Sequence, residues 1–189
     1  DDHAGSNGFG MIRRRSARGD HSDLYTDGRA AHHGNHVSSI ASRGTDRLSV
    51  VPAVQSQAGV AEAIDYVVQR GASVVNISQG FMNEAEVKAV LKAMDRHPDV
   101  TFVHAAGNGA RNYDTDPTKE DITGHQRPNL IHVASADLKG KPLPNTTHGT
   151  SAVHVAAQAK FFAATTSDVA NPDTGNGLYV FAGQTSQAA

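Results

Sequence analysis

Residues 73–108 read SVVNISQGFMNEAEVKAVLKAMDRHPDVTFVHAAGN, and this stretch decides the fold. Ser73-Val74-Val75-Asn76-Ile77-Ser78 is a short, apolar, β-branched run, the composition of a buried strand. Asn83 followed by Glu86 is a capping pair that opens a helix. Val87, Val90, Leu91 and Met94 recur at helical spacing and make one face apolar, and His97-Pro98 closes the helix. Val100-Thr101-Phe102-Val103-His104-Ala105 is then another strand. Strands that alternate with helices of roughly 10–15 residues make parallel βαβ units, because the intervening helix carries the chain back across the sheet.

The same alternation extends outward. Upstream, Leu48-Ser49-Val50-Val51-Pro52-Ala53-Val54 reads as a strand. Val60, Ile64, Val67 and Val68 follow as a helical stripe, with Gly71 placed as its left-handed C-terminal residue. Val37, Ile40 and Ala41 predict an earlier helix, running from His33 to near Gly44. Downstream, Leu130-Ile131-His132-Val133-Ala134 is a further strand, and beyond about residue 137 the pattern becomes short extended pieces rich in turn residues. Residues 1–32 are polar and Gly- and Arg-rich, and read as loop, with Arg13-Arg14-Arg15 as a solvated face. The expected class is α/β with a central, mostly parallel sheet.

At 189 residues the chain reads as one domain, 1–189, large enough to bury a core. A hydrophobic fraction of 38% argues against disorder, and a net charge of -2 gives no reason to expect nucleic acid as a partner. There is no cysteine, which excludes disulfides, thiolate metal sites and a cysteine nucleophile. No run of about 18 apolar residues is present to span a bilayer. The chain starts on a charged pair and stops at what reads as a helix start, so it is expected to be a piece of a longer reading frame, truncated at both ends.

The residues that carry chemistry stand in a telling order. Asp1-Asp2 comes first, then His33-Gly34-Asn35-His36-Val37, Ala105-Ala106-Gly107-Asn108-Gly109, and finally Thr185-Ser186-Gln187-Ala188-Ala189. A carboxylate can orient an imidazole, the imidazole can take a hydroxyl proton, and an Asn amide can stabilise an oxyanion, so these are the components of a serine hydrolase. A competing reading is a metal site built on His32, His33 and His36, with His3, His21 and His104 elsewhere, but it lacks a His-Glu-x-x-His helix or comparable ligand spacing.

The set resembles the subtilisin-like serine proteases, the subtilase family (peptidase S8), over essentially the whole chain. His33-Gly34-Asn35-His36-Val37 is similar to the family's His-Gly-Thr-His-Val, and Val74-Val75-Asn76-Ile77-Ser78-Gln79-Gly80 to the strand ending Asn-x-Ser-x-Gly. Ala105-Ala106-Gly107-Asn108 matches the Ala-Ala-Gly-Asn loop, and Thr185-Ser186-Gln187-Ala188-Ala189 matches Thr-Ser-x-Ala-Ala. His148-Gly149-Thr150-Ser151 also contains Gly-Thr-Ser, but residues 145–157 align better with the family's Ser-Asn-x-Gly loop and the strand after it, which favours Ser186 over Ser151.

The resemblance implies a three-layer αβα sandwich with Asp1 as triad acid, His33 as general base, Ser186 as nucleophile and Asn108 as oxyanion donor. Asp2 competes with Asp1, since the two lie 31 and 32 residues before His33. Ser78, Gln79, Gly80, Ala106 and Gly107 would bind a peptide or protein substrate as an added strand. No cofactor is required; structural calcium, which the family often carries, is assigned to no residue. A secreted or cell-envelope location is implied by the family alone, and the oligomeric state is left open. His3, Asn35, Gln158 and above all Gln184, where the family has Gly, depart from the pattern. They raise the alternative of a catalytically inactive, peptide-binding relative.

Overall fold

A computed structural model of the chain describes residues 37, 40–41, 59–81, 83–116, 121–164 and 179–189. The chain divides into two units, Ser73–Lys160 with Gly183–Ala189, and Asp1–Ala72 with Phe161–Ala182.

The first of these is built on four parallel strands in the order β1-β2-β3-β4. They are β1 (Val74–Ile77), β2 (Thr101–Ala105), β3 (Leu130–Ala136) and β4 (Val155–Gln158). Helix α2 (Glu84–Arg96) joins β1 to β2, as the sequence predicts. Asn83 Oδ1 accepts from Glu86 N–H at 3.0 Å and satisfies one of the unpaired donors of the first turn. Pro98 disfavours a helical residue before it, and the helix ends at Arg96 with His97 N–H returning to Met94 O. The predicted stripe is buried, with Ala93 added to it. Val75, Ile77, Phe102, Leu130, Val133 and Ala134 bury their side chains from the sheet. Val74, read as buried, is 60% exposed: among the described residues β1 is the end strand of the sheet, and its alternate residues face away from the core.

Because all four strands are parallel, their carboxyl ends lie along one side of the sheet, where ligand sites of α/β folds collect. Ser78 follows β1 and Ala106–Asn108 follow β2. A short helix, α3 (Thr185–Ala188), packs against β2, β3 and β4 on this unit.

In the other unit, α1 (Gly59–Gln69) buries Val60, Ala63, Ile64 and Val67. It closes as predicted: Gly71 has φ +88°, Gly71 N–H bonds Val68 O, and Ala72 N–H bonds Val67 O. The strands β5 (Lys160–Ala164) and β6 (Tyr179–Gly183), which belong to this unit except for their end residues Lys160 and Gly183, pair as a two-stranded sheet. Val37, Ile40 and Ala41 are helical, in keeping with the predicted helix, whereas the predicted strand 48–54 lies outside the described residues.

Candidate active site

Of the four candidate catalytic residues, Asn108 and Ser186 are among the described ones. Asp1 and His33 (and the competing Asp2) lie outside the described residues. Asn108 and Ser186 are both on the sheet-based unit, and the structure brings them together through Thr185. Asn108 Oδ1 accepts from Thr185 N–H and from Thr185 Oγ1, both at 3.0 Å. A carbonyl oxygen is the only part of the amide that can take two donors, so the opposite end is fixed as Nδ2. That Nδ2 donates to Gln184 Oε1 at 3.2 Å. Gly107 N–H donates to Thr185 Oγ1 at 3.3 Å, completing the tie between the loop after β2 and the start of α3.

Ser186 is buried, and its hydroxyl donates to Ser78 O at 3.2 Å, while Ser78 Oγ donates to Ser186 O at 3.0 Å. Two residues 108 positions apart in sequence are therefore cross-linked by a reciprocal pair of hydrogen bonds. The loop under Asn108 is itself fastened: Ala106 N–H bonds Val133 O, Thr123 Oγ1 donates to Ala106 O, and Thr147 N–H bonds Gly107 O. Gly107 has φ +105°, and a Cβ there would lie 3.1 Å from Thr147 Oγ1, so both backbone and packing call for glycine. Gly80 is different, since a Cβ on it would meet only Asp121 Oδ2 at 3.9 Å. Burial raises the Asp121 carboxyl above its ordinary range.

Ser151 occupies a different environment. Asp114 accepts from Ser151 N–H (3.0 Å) and Oγ (2.7 Å), and from Thr150 N–H (2.5 Å) and Oγ1 (2.9 Å). These four donors hold the Asp114 carboxyl well below the usual carboxylate range, which makes it a poor base. The Gly-Thr-Ser at 149–151 is a surface turn closed on an aspartate.

The sequence reading missed a row of histidines on neighbouring strands, one of which reaches Gln79 O. The β2–β3 register sets His104 opposite His132, with Nδ1 to Nδ1 at 3.2 Å. His104 Nε2 donates to Gln79 O at 3.2 Å, and His132 Nε2 donates to His125 O at 2.9 Å. His154 stacks on His132 with centroids 5.4 Å apart. Burial is the leading cause that lowers both His104 and His132 to about 4, so both rings are neutral at pH 7. The signal was present in the sequence as His at two adjacent strands, but only the register makes them neighbours. Among the described residues no group of three His, Asp or Glu is arranged to hold a metal ion, and no helix is long and apolar enough to cross a membrane.

Residues 7–189 match the model of the subtilase family, peptidase S8. The chain belongs to the subtilase family. No curated protein matches its sequence. Solved structures match its fold. One is a lanthipeptide protease, with a TM-score of 0.70 and 18% identity over 84% of this chain and 57% of that one. Another is the epidermin leader peptide processing serine protease of Staphylococcus aureus, with a TM-score of 0.68 and 16% identity over 98% of this chain and 57% of that one. A third is the nisin leader peptidase of Lactococcus lactis, with a TM-score of 0.66 and 17% identity over 90% of this chain and 62% of that one. At these identities the likeness carries the fold, and the α/β class with a mostly parallel sheet expected of a subtilase is what the chain has. This subtilase chain spans 57% to 62% of the length of those proteins.

Proposed function

We propose that this subtilase chain hydrolyses peptide bonds through an acyl-enzyme, as part of one peptidase domain. Ser186 Oγ attacks the scissile carbonyl. His33 takes the hydroxyl proton and returns it to the leaving amine, and Asp1 holds the imidazole in the tautomer that can do so. The tetrahedral oxyanion is held by Asn108 Nδ2 and the Ser186 backbone N–H. One such side-chain donor is worth about 3–4 kcal/mol of transition-state stabilisation, a magnitude known from a subtilisin. The substrate lies extended along Ser78-Gln79-Gly80 and Ala106-Gly107, bound mainly by main-chain hydrogen bonds. No cofactor enters these steps. The substrate is a peptide or protein, met outside the cell or in its envelope.

The observation that carries this reading is the meeting of Ser186 and Asn108, tied through Thr185, beside the carboxyl ends of the strands. Thr185 N–H and Oγ1 fix the Asn108 amide, and the next residue in the chain is the serine. A second argument is negative: Ser151 faces a carboxylate of lowered basicity, which cannot activate it.

The test is fluorophosphonate labelling of the full-length protein beside its Ser186→Ala, Ser151→Ala and His33→Ala variants. Labelling should vanish in Ser186→Ala, persist in Ser151→Ala, and slow by roughly 10²-fold or more in His33→Ala. Loss confined to Ser151→Ala would move the nucleophile to the surface turn. A folded protein that no serine reagent labels would instead be a peptide-binding relative without catalysis.

A further inference from the structure

Both groups that would act on a scissile carbonyl are satisfied by oxygens of the chain itself. Ser186 Oγ donates to Ser78 O, and Asn108 Nδ2 donates to Gln184 Oε1. Gln184 Oε1 is an amide carbonyl oxygen, the same acceptor type as the carbonyl of a peptide bond. It arrives there from a firmly held backbone: Gln184 N–H donates to Gln187 Oε1 at 3.0 Å, and Gln187 N–H donates to Gln184 O at 3.1 Å. The side chain itself is exposed, so it can swing into solvent without breaking the core. Glycine at this position would leave the Asn108 donor open.

The geometry points to Gln184 as a built-in competitor for the oxyanion donor: its side-chain carbonyl sits on Asn108 Nδ2 and must be displaced by the carbonyl of an incoming peptide. This rests on the reading of Asn108 as the oxyanion donor. It makes Gln184 a specificity-determining residue. A substrate anchored along the strand at Ser78–Gly80 brings its carbonyl in at high effective concentration and displaces the glutamine, whereas a short or weakly anchored one does not. Gln184 therefore penalises small substrates more than long ones. The net strength of one hydrogen bond sets the scale, corresponding to roughly 2- to 13-fold in an equilibrium.

The experiment compares the full-length protein with Gln184→Gly, Gln184→Met and Gln184→Glu. The rate constant for labelling by a small fluorophosphonate should rise by roughly 2- to 13-fold in Gln184→Gly and in Gln184→Met, because Met keeps the bulk and loses the carbonyl. Gln184→Glu should slow it, since a carboxylate is the stronger acceptor. A Gln184→Met protein that labels like the parent would overturn the proposal in favour of simple crowding, and equal rates in all four would overturn it while leaving Ser186 as nucleophile. Absence of labelling in every version is the failure of the protease reading itself. A second readout separates that case: the side-chain ¹⁵N–¹H signals of Asn108, assigned by their loss in Asn108→Asp. They should move in Gln184→Met, and unchanged signals would overturn the contact whatever the serine does.

Discussion

At the scale of single residues, two glycines near the candidate site have opposite reasons for being there. A Cβ on Gly183 would lie 2.7 Å from Ala159 O and 2.9 Å from Lys160 Cα, both backbone atoms that cannot rotate aside. The chain can pass Ala159–Lys160 at this distance only without a side chain, and the next three residues are Gln184, Thr185 and Ser186. Gly183→Ala should therefore destabilise the protein by roughly 1–3 kcal/mol, the usual cost of overpacking, and should slow Ser186 labelling as well. A Cβ on Gly80 has 3.9 Å to its nearest neighbour, so Gly80→Ala should stay within about 0.5 kcal/mol of the parent in urea unfolding. If Gly80 lines the substrate strand, that same substitution should raise KM while leaving stability alone. Equal stability losses at the two positions would mean that the close pass at Gly183 is not what holds the segment.

At the scale of elements, parallel pairing of β2 with β3 creates the buried histidine pair and a pH dependence with it. Carbonyl oxygens only accept, so His104 Nε2 and His132 Nε2 each carry a proton toward Gln79 O and His125 O. Two neutral rings have no further proton for the Nδ1–Nδ1 contact, and burial opposes adding one; it holds both rings near 4. In the unfolded chain each ring titrates near 6.5. The unfolded state therefore binds more protons between those values, and stability that is complete above about pH 6.5 is lost as pH falls toward 4. The loss is on the order of 3 kcal/mol for one ring. Urea midpoints at pH 7.5 and pH 4.5 should differ, and the difference should shrink in His132→Gln. A His132→Gln protein with the parent's pH dependence would place the acid sensitivity in other groups.

At the scale of the whole molecule, legibility follows sequence separation. The β1–α2–β2 unit could be read because its pattern is local: alternation of runs, an Asn cap and a Pro stop all fall within residues 73–105. What could not be read is what register and long-range closure create: the His104–His132 pair, the hold of Asp114 on Ser151, and the contact of Gln184 with Asn108 across 76 residues. The sheet-based unit is discontinuous, since the chain leaves it after Lys160 and returns at Gly183. Its last seven residues bring Thr185 and Ser186 back to Ser78, Gly107 and Asn108. Such a segment is held by side-chain hydrogen bonds, whereas Phe102–His104 are locked between two neighbouring strands. Segments with few ladder bonds open locally before the sheet unfolds. Amide exchange should accordingly be slowest in β2 and faster at Thr185, whose N–H is held by Asn108 Oδ1. In Asn108→Ala the Thr185 amide should exchange faster still, by roughly 2- to 13-fold for the loss of one hydrogen bond, with the protection of Phe102 unchanged. Equal protection of Thr185 and Phe102, falling together in the variant, would instead show that the returning segment opens only when the whole sheet does.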